Sequence, residues 1–143
     1  MIEINKLIPE KIDEEFFKKI AEGVLKEENK KGDISVVFVC QRRMRELNKK
    51  YRKKDKATDV LSFNYKDKET ALGEVVICPE IVKKNAKKFN LDYNKELAKV
   101  LIHGILHISG YDHEKSLGRS QTGEADEEAG KMEKREEYYL SKI

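Results

Sequence analysis

The sequence has 143 residues, which suits one compact domain (1–143). A chain of this length can form one hydrophobic core but not two. Charged residues make up 40% of it, but 30 Lys and Arg against 27 Asp and Glu leave a net charge of +3, which selects no class of partner. The first residues, MIEINKLIPEKIDEE, are charged and contain no apolar signal region, and no apolar run approaches the ~20 residues of a membrane span. We therefore expect a soluble, cytoplasmic protein that does not bind membranes.

The first half of the chain is predicted to alternate strands and helices. A short strand is predicted at residues 2–5, and Pro9 opens a segment whose apolar residues recur at helical spacing as far as Leu25. The β-branched run DISVVFVC, residues 33–40, is typical of an interior strand. A basic helix follows, with Met44, Leu47 and Tyr51 on its apolar side.

The second half is predicted to contain two strands and three helices. TDVLSFNY and GEVVICP flank a polar link, KDKETAL, and Pro79 then opens the helix PEIVKKNAKKFN. The next helix, residues 94–109, is apolar around nearly its whole circumference, which indicates a central core helix. The last helix carries Ala129, Met132, Glu136, Tyr139 and Leu140. This succession predicts an α+β fold, one small sheet with helices packed on it.

The two cysteines are predicted to be structural. Cys40 and Cys78 each end an apolar run, which favours reduced, buried thiols over a disulfide. Either one could also close a metal site as a thiolate ligand.

Three histidines, the only ones in the chain, lie within HGILHISGYDH. His103 and His107 are four residues apart, so they share one face of the core helix. Gly110 lies where the helix should end, and a reversal there can bring His113 back over the pair. The offsets of four, seven and ten match the metzincin signature H-E-x-x-H-x-x-G-x-x-H. The spacing therefore predicts a metal site formed by His103, His107 and His113.

The predicted ligand set is typical of a catalytic metal. Three protein ligands leave a fourth position for water, whereas structural zinc normally has four protein ligands. Imidazole ligands suit zinc but also admit nickel, copper or iron. Asp112, beside His113, is either a carboxylate that orients an imidazole or an exposed turn residue.

Position 104 argues against a peptidase. Zincin peptidases carry at this position a glutamate that activates water for attack on the peptide, and here the residue is Gly104. The glycine instead allows a backbone or a substrate to approach the metal closely. Glu74 is a further candidate acid or base, although a strand-edge carboxylate is the commoner explanation.

The segment QRRMRELNKKYRKKDK, residues 41–56, is strongly basic. It contains nine Lys or Arg against two acids. Such a segment is either an electrostatic footprint for a polyanion or a solvated helix face.

These motifs together resemble one known family. HGILHISGYDH, LNKKYRKKDKATDVLSF and GEVVICP are similar, in order and spacing, to the YbeY family of bacterial metal-dependent endoribonucleases. The resemblance covers most of the chain, and a departure such as Ala57, where a proline is common, does not affect the ligands.

The resemblance implies both a structure and an activity. The fold would be zincin-like α+β, with a small mixed sheet of about four strands and about five helices around a central apolar helix. One zinc ion, or nickel or another divalent metal in its place, would be held by His103, His107 and His113. Arg52 matches the family's functionally important arginine, and Lys49, Lys50, Lys53 and Lys54 would then follow an RNA backbone.

The implied substrate is single-stranded RNA, with no DNA expected. The family acts in maturation of the 3′ end of 16S ribosomal RNA and in ribosome quality control, so the small ribosomal subunit is an implied partner. Two alternatives stay open: a non-catalytic assembly factor braced by zinc, and a metal hydrolase of another substrate.

Overall fold

The computed structural model describes residues 1–65, 71–110 and 124–143, with side chains in the last range from residue 130. Within these ranges the chain forms a four-stranded sheet and five helices. In chain order the elements are β1 (Ile2–Lys6), α1 (Glu14–Glu27), β2 (Asp33–Phe38), α2 (Gln41–Arg52), β3 (Val60–Asn64), β4 (Ala71–Ile77), α3 (Pro79–Lys88), α4 (Tyr93–Ile108) and α5 (Glu124–Ser141). None of the described helices has the length and apolarity needed to cross a membrane.

The sheet is mixed and has the strand order β1-β2-β4-β3. Strands β1, β2 and β4 are parallel, and β3 is an antiparallel edge strand on β4. In the register, Val75 of β4 lies between Val36 of β2 and Ser62 of β3. This arrangement confirms the predicted α+β fold with one small mixed sheet.

Helix α4 forms the centre of the fold, as predicted. It contacts α1, α3, α5, β3 and β4. Asp92 caps its start by accepting a hydrogen bond from the Lys95 backbone N–H at 3.0 Å. The helix ends just before Gly110, whose φ of 119° is a conformation that glycine adopts without a steric penalty. Its buried residues are Leu97, Ala98, Val100, Leu101, Ile102, Gly104, Ile105, Leu106 and Ile108.

The two faces of the sheet are covered by different helices. The larger core cluster includes Val75 of β4 together with buried residues of α1, α4 and α5. On the other face, Met44 of α2 packs with Leu61 and Val76 in a smaller cluster. Because neighbouring strand residues point to opposite faces, α2 and α4 lie on opposite sides of the sheet.

Both cysteines are free thiols. Cys78 is buried in the smaller cluster, and burial raises the pKa of its thiol. Cys40 is half-buried at the start of α2. The expectation of buried thiols without a disulfide is therefore met fully at Cys78 and in part at Cys40.

Two element boundaries differ from the sequence-based expectation. Helix α1 begins at Glu14 and not at Pro9, because the Asp13 carboxylate accepts a hydrogen bond from the Phe16 backbone N–H at 3.2 Å and so caps the helix there. Strand β4 begins at Ala71, so the last two residues of the predicted polar link belong to this strand: Ala71 pairs with Asp33, and Leu72 lies at a shift in the register.

Candidate metal centre

His103 and His107 are neighbours on α4. Their ring centroids are 4.8 Å apart and the ring planes are inclined at 71°, as the spacing of four residues predicts. Both rings are half-buried, whereas the residues around them on the helix are buried. The structure therefore brings together two of the three predicted ligands.

Glu136 of α5 contacts the first of these histidines. Its Oε1 lies at hydrogen-bonding distance from Nδ1 of His103, and the residue is only 8% exposed. With Nδ1 engaged by a carboxylate, Nε2 is the ring nitrogen that would bind a metal. Metal-ligating histidines in proteins almost always donate their other ring N–H to a carboxylate, a carbonyl or water. The residues present therefore fit a metal ion held by His103 and His107.

Helix α5 is fixed on α1 by a cluster next to Glu136 in sequence. Arg135 donates two hydrogen bonds to Oε2 of Glu28, at 2.6 and 3.1 Å, and the Tyr139 hydroxyl donates to the same oxygen at 2.5 Å. Desolvation and the hydrogen bond to Glu28 raise the pKa of the Tyr139 phenol. These contacts stabilise the position of α5 that aims Glu136 at His103.

Polar side chains of β3 attach α4 to the sheet. Ser62 Oγ donates to the carbonyl of Gly104 at 3.3 Å, and Asn64 Nδ2 donates to the carbonyl of Ile108 at 3.4 Å. These bonds hold the part of the helix that carries both histidines.

Gly104 allows α4 to approach the sheet closely. A Cβ atom at this position would lie 2.6 Å from Cγ1 of Val75 and 3.1 Å from Oγ of Ser62. A glutamate like that of the zincin peptidases would collide with the sheet here unless Val75 moved. The close approach that the structure shows at Gly104 is one of helix to sheet, and the approach of a backbone or substrate to the metal stays a prediction.

Glu74 lies away from the histidines. It belongs to β4, an interior strand, so the expected strand-edge position is wrong. Its neighbour Val75 faces α4, so Glu74 points to the opposite side of the sheet. There it accepts a 2.6 Å hydrogen bond from the Tyr65 hydroxyl and raises the pKa of that phenol to about 12. Glu74 is not an acid or base for the histidine pair.

The other predicted members of the centre are not all described. His113 and Asp112 lie outside the described residues, so their roles stay predictions. Among the residues that are described, no three His, Cys, Asp or Glu side chains form a metal-binding group, so neither Cys40 nor Cys78 completes one with the histidine pair.

A cavity of about 370 Å³ opens beside His103. It lies between the start of β3, α4 and α5, and its walls include Asp59, Val60, Lys99, Met132 and Glu136. This volume falls within the range of small-molecule sites. His103 therefore borders a space that can admit part of a substrate.

Arg52 ends α2, the helix that covers the other side of the sheet. It is the exposed last residue of α2, and Lys53 ends the helix with a left-handed φ of 59°. The ring of Tyr51 packs edge-on against Phe63 of β3, with centroids 5.1 Å apart, which places the end of α2 at the β3 edge of the sheet.

The chain after α2 is held in place by two contacts. The buried amide of Asn48 donates to the carbonyl of Lys56 at 2.8 Å, and Arg45 binds both carboxylate oxygens of Asp55, at 2.8 and 3.2 Å. The hydrogen bonds with Arg45 lower the pKa of Asp55. The basic segment therefore has a defined conformation at the sheet edge.

Fold and site together define a class: an α+β protein whose central helix carries a histidine pair fit for a metal and supported by a buried carboxylate. A family model described as endoribonuclease YbeY matches residues 3–143. The chain belongs to the YbeY family.

Individual relatives agree with this assignment. The endoribonuclease YbeY of Thermodesulfovibrio yellowstonii is 46% identical over 114 residues, which cover 77% of this chain and 66% of the relative. That of Thermotoga neapolitana is 42% identical over 112 residues, covering 78% and 68%. The chain thus spans about two thirds of the length of these curated relatives. A solution structure from Thermotoga maritima is 35% identical, with a TM-score of 0.68, and the match covers 98% of this chain and 87% of that one.

Proposed function

We propose that this protein is a metal-dependent endoribonuclease that cleaves single-stranded RNA. The observation that carries the proposal is the His103–His107 pair on the central helix, with the buried carboxylate of Glu136 on Nδ1 of His103. Membership of a family whose relatives are named endoribonuclease supports the reaction class. The proposed setting is the cytoplasm, with the 3′ end of 16S ribosomal RNA on the small ribosomal subunit as substrate.

In this proposal one zinc ion is bound by His103, His107 and His113, and nickel or another divalent metal can replace it. Such a metal, when bound, polarises a phosphoryl oxygen as a Lewis acid and lowers the pKa of water. Glu136 keeps the His103 ring oriented. Ser62 donates a hydrogen bond to the carbonyl of Gly104, which lies between His103 and His107 in the sequence.

The basic end of α2 provides the contact with RNA. Arg52 offers a planar set of donors to phosphate oxygens, and the lysines around it attract the backbone without reading the base sequence. The histidines lie on the α4 side of the sheet, whereas Arg52 ends α2 at the β3 edge, so an RNA strand bound by both would run past the β3 edge of the sheet. A flexible single strand can follow this path more easily than a duplex.

Tyr51 is suited to stack on an unpaired base. It is 56% exposed, its ring is supported by Phe63, and Lys50 Nζ lies 5.2 Å from the ring centroid. Stacking on an aromatic side chain contributes about 1–3 kcal/mol per base. We therefore expect Tyr51→Leu to weaken binding of a single-stranded oligoribonucleotide by at least about fivefold, and Tyr51→Phe to retain most of it, both measured by fluorescence anisotropy.

Phe89 provides a matched control for this experiment. It is 62% exposed and has Lys88 Nζ 5.4 Å from its ring centroid, but it follows α3 and lies outside the basic segment. Phe89→Leu should leave RNA binding unchanged. Equal loss of affinity in both leucine variants would show that Tyr51 has no specific role.

Metal removal tests the proposed activity directly. The substrate is an RNA hairpin with a single-stranded 3′ extension, and the products are separated on a denaturing gel. We expect the zinc-loaded protein to cut the extension and not the stem, the chelator-stripped protein to be inactive, and added zinc to restore cutting. A DNA strand of the same sequence should stay intact.

Equal cleavage by the stripped and the loaded protein would contradict a metal-dependent mechanism. Zinc binding with no cleavage of the extension would favour the non-catalytic assembly factor instead.

A further inference from the structure

We propose that Glu136 is a positioning residue that sets the metal affinity of the site through His103. This inference rests on the proposed metal centre and assigns to the last helix a direct part in it. Glu136 lies 33 residues from His103 in the sequence and on a different helix, and their side chains are in contact.

Packing alone does not account for a glutamate at this position. Met132 and Tyr139, which precede and follow it on the inner side of α5, are 2% and 5% exposed, and both belong to the larger core cluster. Glu136 itself is 8% exposed. Burying a carboxylate has a high free-energy cost unless it is hydrogen-bonded, and an apolar side chain of similar size is often at least as stabilising. The stabilising partner that the structure shows for this carboxylate is the imidazole of a predicted metal ligand.

The contact acts on the ring in two ways. A carboxylate beside Nδ1 favours the tautomer with the proton on Nδ1, so that the Nε2 lone pair is directed at the metal. It also restricts rotation of the ring, which reduces the entropy lost when a metal binds. Loss of such a partner typically lowers metal affinity by about 10- to 100-fold.

Zinc affinity is the measurement that tests this role. The dissociation constant of full-length protein is measured by competition with a chromophoric chelator, without RNA. We expect Glu136→Ala to bind zinc about 10- to 100-fold more weakly than wild type. The amide oxygen of Glu136→Gln can still accept a hydrogen bond from Nδ1–H. Its zinc affinity should therefore lie between those of wild type and Glu136→Ala.

Glu133 provides the control. It is exposed, precedes Glu136 on the same helix and lines the same cavity. Glu133→Gln removes the same charge and should leave zinc affinity unchanged.

Two further readouts separate positioning from simple stability. The thermal midpoint of the metal-free protein should be nearly the same in wild type and Glu136→Gln. Nitrogen NMR shifts of His103 in the metal-free protein should report mainly the Nδ1–H tautomer in wild type and a mixture in Glu136→Ala. Unchanged zinc affinity in both Glu136 variants would overturn the proposal, and so would equal weakening in Glu133→Gln.

Zinc binding and RNA cleavage by the wild-type protein together distinguish failure of this inference from failure of the proposed activity. If wild type binds zinc with the expected dependence on Glu136 but cleaves no RNA, the positioning role stands and the endoribonuclease proposal fails. If wild type binds neither zinc nor another divalent metal, both fail.

Discussion

Replacing His107 with alanine is expected to abolish stoichiometric zinc binding. His107 is one of the two imidazoles that α4 presents side by side, and its loss leaves the site with at most two of its three predicted ligands. Zinc content is measured after dialysis, and wild type should retain one ion per chain. Thermal unfolding gives a second measure, because a ligand at about 100 times its dissociation constant stabilises the folded state by about 2.7 kcal/mol. Added zinc should raise the midpoint of wild type but not of His107→Ala.

Lys99→Ala is the matched control for the histidine variant. Lys99 is exposed on the same helix and lines the cavity beside His103, but it carries no metal-binding function in this proposal. The control should bind one zinc ion. Full zinc content in His107→Ala would rule out the tri-histidine site.

Replacing Arg52 with alanine is expected to reduce RNA cleavage at least tenfold without loss of zinc or of thermal stability. A tenfold loss corresponds to roughly 1.4 kcal/mol of transition-state stabilisation. Cleavage is expected to fall because the variant lacks the guanidinium. Its N–H donors match the geometry of phosphate oxygens and stabilise the negative charge that develops on these oxygens in the transition state. Arg52→Lys keeps the charge but not the planar set of donors, so it should restore activity only in part. Single-turnover cleavage of a single-stranded RNA measures both effects.

Arg42 is the control residue for this prediction. It lies on the same helix, its side chain is 90% exposed, and it forms a 3.6 Å ion pair with Glu46. Arg42→Ala removes one positive charge from the basic segment and should change cleavage less than twofold, in line with the small contributions of such exposed pairs. Equal turnover in wild type and Arg52→Ala would contradict the proposed role of Arg52 in RNA cleavage.

The core helix and its histidine pair could be predicted from sequence because both depend on local periodicity. Apolar residues around the whole of α4 indicated a central position, and a spacing of four placed His103 and His107 together. Gly110 marked the end of the helix by its conformational freedom. Each of these features is encoded within a few turns of the chain.

The support for the site could not be predicted in the same way, because it comes from distant elements. Nothing near His103 in the sequence indicates Glu136, and the Ser62 hydrogen bond depends on how β3 pairs in the sheet. One signal was present but ambiguous: an acid between Met132 and Tyr139 in a helix whose inner side is apolar. Such a residue implies a buried polar partner, but it does not identify which one.

The contacts of α5 also determine when the site can form during folding. Arg135 and Tyr139 bind Glu28 across 107 and 111 residues of sequence, so these contacts form late in a chain that folds as it is synthesised. The histidine pair can already exist once α4 has packed on the sheet, but its carboxylate partner arrives only when α5 docks on α4 and on the end of α1. On the proposal that Glu136 sets the metal affinity, a nascent chain would bind metal weakly, and full affinity would be reached only once α5 is in place.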